Sequence, residues 1–305
     1  MIESVEQILK EFKEKGSYIT DVDVATAVLL AYKLGKPLLV EGEPGVGKTE
    51  LAKIIAKVLN RELIRLQCYE GIDESHILYE WAYAKQLLYS EILRGKINEF
   101  LSDTPTLKEA IQKIHQHQDI FFAKEFLQKR PLLKALTSET PVVLLIDEID
   151  RSDREVEAFL LEALSDFQIS IPEVGTITAT HKPFVVLTSN NTRELSNALK
   201  RRCIYLYIEL PSYERELEIV KTKVPNLSDT LSEELVKFVQ NFRSYDWKKP
   251  PNISETIDWA LALVSLNVES LNEEIILQTV SLLLKHKADL DKASNRVQKV
   301  LSRGE

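Results

Sequence analysis

The sequence predicts a doubly wound α/β domain followed by an all-α domain, and three observations carry that prediction. Five short runs are mainly apolar, continuous rather than alternating, as strands of a parallel sheet covered on both faces are. Helical periodicity fills the segments between them. After Leu210-Pro211-Ser212 the strand signals stop, and from Tyr213 onward only helical patterns follow, broken at "VPNLSD" and "SYDWKKPPN".

Taken in order, "MIESVEQILKEFKEK" opens the chain with apolar residues at helical spacing among alternating charges. The first apolar run, "PLLVE" (37–41), enters "GEPGVGKT" (42–49). Leu51, Ile54, Ile55, Val58 and Leu59 then fall at i, i+3, i+4, i+7 and i+8, one stripe of a helix. "LIRLQC" (63–68) is the second run. Residues 70–140 are too long for a simple crossover and read as helical insertions, with breaks near Gly95, "SDTPT" and "KRP". "VVLLID" (142–147) follows, and "REVEAFLLEALSDF" is again helical. "QISIPEVGTITAT" (168–180) alternates about Val174-Gly175 as a β-hairpin does. "FVVLTSN" (184–190) and "IYLYI" (204–208) complete the five strands. The expected division is 1–211 for the α/β domain and 212–305 for the helical one, with the last fifteen residues prone to fraying.

Composition fixes the class. The chain has 305 residues, 44% hydrophobic and 28% charged, as an ordinary soluble globular protein does. No stretch approaches the roughly 20 apolar residues that span a bilayer, so no membrane association is expected. The N-terminus lacks the basic start and continuous apolar region of a secretory signal. Two cysteines far apart, Cys68 and Cys203, suit a reducing cytoplasm and read as small core residues. A net charge of −8 opposes nonspecific nucleic-acid binding, which needs a basic footprint.

The chemistry begins at residues 42–49. A strand, a glycine-rich loop with a terminal Lys-Thr, and a helix form the P-loop pattern in its required context. Gly42, Gly45 and Gly47 let the backbone of Gly42-Glu43-Pro44-Gly45-Val46-Gly47 curl so that its N–H groups face phosphate oxygens. Glu50 continues the segment into the helix. Lys48 is expected at the β- and γ-phosphates of ATP and the Thr49 hydroxyl on Mg²⁺. "VVLLIDEID" supplies the acids: Asp147 for the Mg²⁺ shell and Glu148 to polarise the attacking water. Asp150 and Arg151 read as a loop ion pair. Asn190, at the tip of the fourth run, is placed to hold the same water, with Thr188 and Ser189 as weaker candidates. Such a site still lacks a cation for the transition state. Arg201 or Arg202, at the start of the fifth strand, is placed to supply it to a neighbouring copy, and a cationic strand edge is the alternative.

"GEPGVGKT", "LLIDEID", "LTSN" and "ALKRRC", in this order, resemble an AAA+ ATPase. More narrowly, "CYEGIDESHILYEWAYAKQLL", "FFAKEFLQKRPLLKAL", "DFQISIPEVGTITATHKP" and "TSNNTRELSNALKRRC" resemble the MoxR family, closest to the subgroup associated with carbon monoxide dehydrogenase maturation (CoxD-type). The resemblance implies a ring, usually hexameric, with ATP between protomers and Arg202, ahead of Arg201, as the arginine acting in trans. It implies a chaperone-like ATPase that matures a metalloenzyme client, often with a partner carrying a von Willebrand factor A domain. It places Tyr79, Glu80 and Trp81 where a client or partner would touch, with buried packing the equal alternative for Trp81. One departure stands out. Where many relatives carry a lid arginine, "PPNISETIDWALAL" has none, only Lys248 and Lys249 before it, so no sensor role is assigned there.

Two other function classes remain open at this stage. One is a nucleotide-gated binding factor with little turnover, which an intact Glu148 disfavours; the other is a nucleic-acid motor of the same fold, which the acidic balance disfavours. His115 and His117 form an H-x-H pair without further ligands and read as a solvated helix face, so no metal beyond Mg²⁺ is expected.

Overall fold

A computed structural model describes residues 2–92, 94–95, 106, 108, 127–171 and 174–301. His115, His117 and most of the stretch from 96 to 126 lie outside the described residues, as do Pro172 and Glu173.

In chain order, α1 (Val5–Gly16) and α2 (Val22–Leu34) precede β1 (Leu38–Gly42) and α3 (Lys48–Leu59). Then come β2 (Leu63–Gln67), α4 (Glu74–Ile77), β3 (Tyr79–Trp81), α5 (Tyr83–Ile92), β4 (Leu127–Lys129) and α6 (Pro131–Leu136). β5 (Val143–Asp147) leads through a 3₁₀ turn to α7 (Arg154–Asp166), the hairpin β6 (Gln168–Ile171) and β7 (Gly175–Thr178), and β8 (Phe184–Ser189). α8 (Asn197–Arg202) and β9 (Ile204–Ile208) follow. Helices α9 (Tyr213–Lys223), α10 (Asp229–Arg243), α11 (Ile253–Ser265), α12 (Glu273–Thr279) and α13 (Lys287–Leu301) end the described chain.

Five strands form a parallel sheet in the order β2-β5-β8-β1-β9. The three inner strands are buried along their whole length, as uninterrupted apolar runs require. The two edge strands depart from that expectation. β2 exposes Arg65, and β9 exposes Tyr205 and Tyr207, because an edge strand is covered less completely than an inner one. The insertion also departs from its all-helical reading. β3 and β4 pair antiparallel, Tyr79 opposite Lys129 and Trp81 opposite Leu127. Three-residue strands are too short for a period of two to register.

The chain separates into two compact units, one of residues 1–60, 187–192 and 203–305, the other of residues 61–186 and 193–202. In the first, β1 pairs in parallel with β9, from Leu38 opposite Ile204 to Gly42 opposite Ile208. Its C-terminal helices share an aromatic core. Phe238 stacks on Phe242 at 5.1 Å between ring centroids and lies 5.5 Å from Trp259; Phe242 lies 4.5 Å from Trp247. Both indoles keep a hydrogen bond, Trp259 Nε1 to Thr279 Oγ1 (2.8 Å) and Trp247 Nε1 to the Phe242 carbonyl (2.5 Å). Beneath them, Glu216 is fully buried on α9. It receives two bonds of 2.6 Å from the Arg243 guanidinium, one of 2.6 Å from Gln240 Nε2 and one of 2.8 Å from the Thr256 hydroxyl. One carboxylate thus ties α9, α10 and α11 together. In the second unit, β2 pairs in parallel with β5, from Leu63 opposite Val143 to Gln67 opposite Asp147.

Two outcomes follow from this packing. Arg243→Leu is expected to cost about 3–5 kcal/mol in urea unfolding, because it strands the buried Glu216 charge, whereas the double change Glu216→Leu/Arg243→Leu costs far less. Cys68 and Cys203 are both buried, and burial pushes each thiol up to about 12. An exposed thiol ionises near 8.5. At pH 8 both are therefore neutral, and a disulfide reagent should modify neither in the folded protein and both in 6 M guanidinium.

Candidate functional site

The phosphate loop belongs to the first unit. β1 delivers the chain to Gly42, and α3 leaves it at Lys48. Gly47 caps α3 with φ 96° and makes no side-chain cap bond, so no capping side chain takes the helix's leading N–H groups. A twelve-residue helix with such an end is an anion site by its amide donors and dipole. Gly45 is constrained twice. Its φ of 80° disfavours any side chain, and a Cβ would lie 2.3 Å from the Asn252 side chain. Asn252 is held there as the N-cap of α11, in a capping box with Glu255.

Lys48 is buried, and its ammonium donates to the carbonyls of Gly42 (2.7 Å) and Glu43 (2.8 Å). It thereby closes the loop on itself. Thr49 is half-buried one residue on, a hard oxygen donor at the loop's mouth. Val46 is buried, while Glu43 and Pro44 are exposed. Glu50 pairs with Lys53 at 3.1 Å and joins the wall of a cavity of about 310 Å³. Tyr18, Gly45, Gly47, Ile208, Arg215 and Ile253 also line that cavity. The Tyr18 hydroxyl lies 3.5 Å from the Gly47 carbonyl, and burial pushes its phenol up. Tyr18 and Arg215 carry no motif; only "GSYIT", a helix break ahead of the Asp21 cap, hinted at a built turn. Asn190 follows β8 directly and is half-buried. The alternative Ser189 is spent locally, its hydroxyl accepting from the Asn191 N–H at 3.0 Å.

Asp147 and Glu148 belong to the second unit. Asp147 ends β5 almost wholly buried. Its Oδ2 receives Arg65 Nε at 3.0 Å and Nη2 at 2.6 Å. The same Nη2 donates to Gln67 Oε1 at 2.5 Å, and Gln67 Nε2 donates to Glu148 Oε2 at 3.1 Å. Glu148 has φ 57° and ψ 49°, a left-handed conformation that a non-glycine residue adopts at a cost of order 1 kcal/mol. Its carboxylate also meets Arg151 Nε at 3.0 Å. The expected ion pair between Asp150 and Arg151 is thus replaced. The 3₁₀ turn of Ile149–Arg151 brings residue 151 back over residue 148, and Asp150 points into the interior.

Arg201 and Arg202 are exposed and end α8 instead of opening the fifth strand. Ser196 starts the helix, its hydroxyl accepting from the Leu199 N–H, and three cations in its last turn suit the negative end of the helix dipole. Trp81 is buried edge-on to Tyr79 at 5.9 Å, so packing accounts for it; Glu80 is exposed and pairs with Arg130. Lys248 and Lys249 offer their backbone N–H groups to Asp289, and the Lys249 ammonium lies 3.5 Å from Glu255. Among the described residues, no group of three or more His, Cys, Asp or Glu side chains could hold a metal by itself.

The AAA domain family of the dynein-related subfamily matches residues 37–203, more than half of the chain. An uncharacterized protein of Staphylococcus haemolyticus is 24% identical over 261 residues, covering 83% of this chain and 85% of its own. The gas vesicle ATPase GvpN1 of Halobacterium salinarum is 23% identical over 219 residues, covering 69% of this chain and 57% of its own. Among solved structures, the Thermotoga maritima RuvB Holliday junction branch migration motor aligns with 85% of this chain at 21% identity and a TM-score of 0.46, and the chain spans 66% of that structure. Among the described residues, no helix is long and apolar enough to cross a membrane.

Gly45→Ala should lower stability by about 1–3 kcal/mol through its backbone angle and the contact with Asn252. Urea unfolding of Gly45→Ala alone and with Asn252→Ala separates the two causes, since only the contact is relieved in the pair.

Proposed function

Because this chain belongs to the AAA domain family, dynein-related subfamily, we propose that it is a Mg²⁺-dependent ATPase of the AAA+ class that remodels or matures a protein client as an oligomeric ring. The observation that carries the reading is the phosphate loop, with its uncapped helix end and its buried lysine. In this reading residues 1–211 are the ATPase domain and 212–305 the helical lid. Lys48 takes the β- and γ-phosphates. Thr49 and Asp147 hold Mg²⁺, which accepts few protein ligands and completes its shell with phosphate oxygens and water; this donor set of one hydroxyl and one buried carboxylate suits it. Glu148 orients the attacking water with Asn190, and Arg202, or Arg201 beside it, reaches the site of a neighbouring copy. Support comes from the parallel sheet, in which the carboxyl ends of strands share one edge, the usual ligand side of an open α/β fold. Exposure of both arginines at the end of α8 supports action across an interface.

The motifs further support a MoxR-family assignment, closest to the CoxD-type subgroup, with a hexameric ring, a metalloenzyme client, a von Willebrand factor A partner and a cytoplasmic setting. A second reading has its own observation. Arg65 holds Asp147, while Gln67 and Arg151 hold Glu148, an arrangement that suits a nucleotide-gated assembly factor of low turnover. A nucleic-acid motor has no such support, and the net charge of −8 stands against it.

The deciding measurement is ATP hydrolysis per subunit across a wide range of protein concentration. The rate should climb with concentration. Glu148→Gln should lose about 10²–10⁴-fold, and Arg202→Ala about 10³–10⁵-fold. Turnover that ignores both concentration and Arg202→Ala rejects the trans arginine. Tight nucleotide binding without turnover selects the low-turnover factor.

A further inference from the structure

β2 carries no residue of the P-loop or of the acidic motif that follows β5, yet two of its side chains hold both acids. Arg65 grips Asp147 Oδ2 with two nitrogens and, through the same Nη2, the Gln67 amide oxygen. Gln67 in turn holds Glu148. The exposure of the pair is unequal: the Asp147 side chain is 2% exposed and the Arg65 side chain 52%. A buried carboxylate needs a cation near it, because desolvation of an unpaired charge is expensive. A half-exposed guanidinium can leave for water at little cost. The acid is fixed and its partner is replaceable.

On this asymmetry we infer that Arg65 is an exchangeable counter-cation of Asp147. Arg65 neutralises the carboxylate before Mg²⁺ binds and surrenders Oδ2 to the metal when it does. The inference rests on the nucleotide reading above and adds a residue that reading does not use. Arg65 is a positioning residue in this scheme: it touches no substrate and acts through Asp147 and Gln67. Two consequences follow. Mg²⁺ must displace a charge-assisted two-nitrogen contact, so the protein requires more Mg²⁺ than the carboxylate alone would. Departure of Arg65 also frees the Gln67 amide oxygen, so the side chain holding Glu148 keeps only its 3.3 Å bond to the Cys68 carbonyl as an anchor at the moment the metal site fills.

The test is a Mg²⁺ titration of the full chain with a fluorescent N-methylanthraniloyl ADP, which reads binding and needs no turnover. Wild type, Arg65→Ala, Arg65→Lys and Arg65→Ala/Asp147→Asn are compared, each against Asp147→Asn alone. Arg65→Ala is expected to lower the half-maximal Mg²⁺ concentration about tenfold, the effect of removing one charge-assisted competitor. Arg65→Lys, which keeps the charge and loses the two-point grip, should fall between the two and decides the question if Arg65→Ala does not fold. In the Asp147→Asn background the Arg65 effect should vanish. Without nucleotide, millimolar Mg²⁺ should raise the melting temperature of Arg65→Ala and leave wild type unmoved. An unchanged or higher Mg²⁺ requirement in Arg65→Ala overturns the inference while leaving the nucleotide site intact, as does an Arg65 effect that persists without the Asp147 carboxylate. Failure of wild type to bind the labelled ADP at any Mg²⁺ concentration rejects the nucleotide reading itself, and this inference with it.

Discussion

Two strands pair in parallel only if the chain returns to its starting edge between them, and that return organises this protein. Each of the first four strands of the five-stranded sheet in chain order must be followed by a crossover, so each ends in a turn that the fold has to build anyway. The residues of the proposed nucleotide site lie in or beside those turns. Gly42–Thr49 follows β1, Asp147 and Glu148 close β5, Asn190 follows β8, and Gln67 closes β2. The return segments differ greatly in length. That from β1 is the single helix α3, whereas the one from β2 to β5 accommodates, among the described residues, the three helices α4, α5 and α6 and the β3–β4 ribbon.

Three buried charges are each held by close polar partners. Lys48 lies against two loop carbonyls, Asp147 against Arg65, and Glu216 against Arg243, Gln240 and Thr256. The last differs in kind from the second. The Arg243 side chain is 8% exposed and Glu216 fully buried, so neither partner has water to move into. That pair is a structural knot joining three helices, whereas the Arg65 contact has one anchored end and one wet end.

Much of this was legible in the sequence, for identifiable reasons. The inner strands register because burial on both faces demands an unbroken apolar run, and "VVLLID" can meet no other need. The P-loop registers because its glycines, lysine and threonine stand at fixed intervals between a strand and a helix. What escaped depended on context that spacing does not encode. Tyr205 and Tyr207 read as core within "IYLYI", and only the position of β9 at the sheet edge exposes them. Arg65 and Gln67 lie two residues apart on β2 and gain meaning only from β5 beside them, where Gln67 stands opposite Asp147. Tyr18 and Asn252 reach the phosphate loop from stretches 29 and 207 residues away from Gly47 and Gly45. The Glu148–Arg151 contact needs a 3₁₀ turn that residue types alone do not announce.

The interleaving of the two compact units sets a timetable for synthesis. β1 emerges from the ribosome well before either strand beside it, since β8 begins at Phe184 and β9 at Ile204. At about 5–20 residues per second, the strand that leads into the phosphate loop waits roughly ten to thirty seconds for its neighbour. Residues 61–186, by contrast, are contiguous, and β2 can meet β5 as soon as Asp147 has emerged. The acidic half of the molecule therefore has the means to mature first. Until β8 and β9 arrive, "PLLV" is an unpaired apolar strand in a nascent chain, the kind of surface that makes a folding intermediate prone to aggregate.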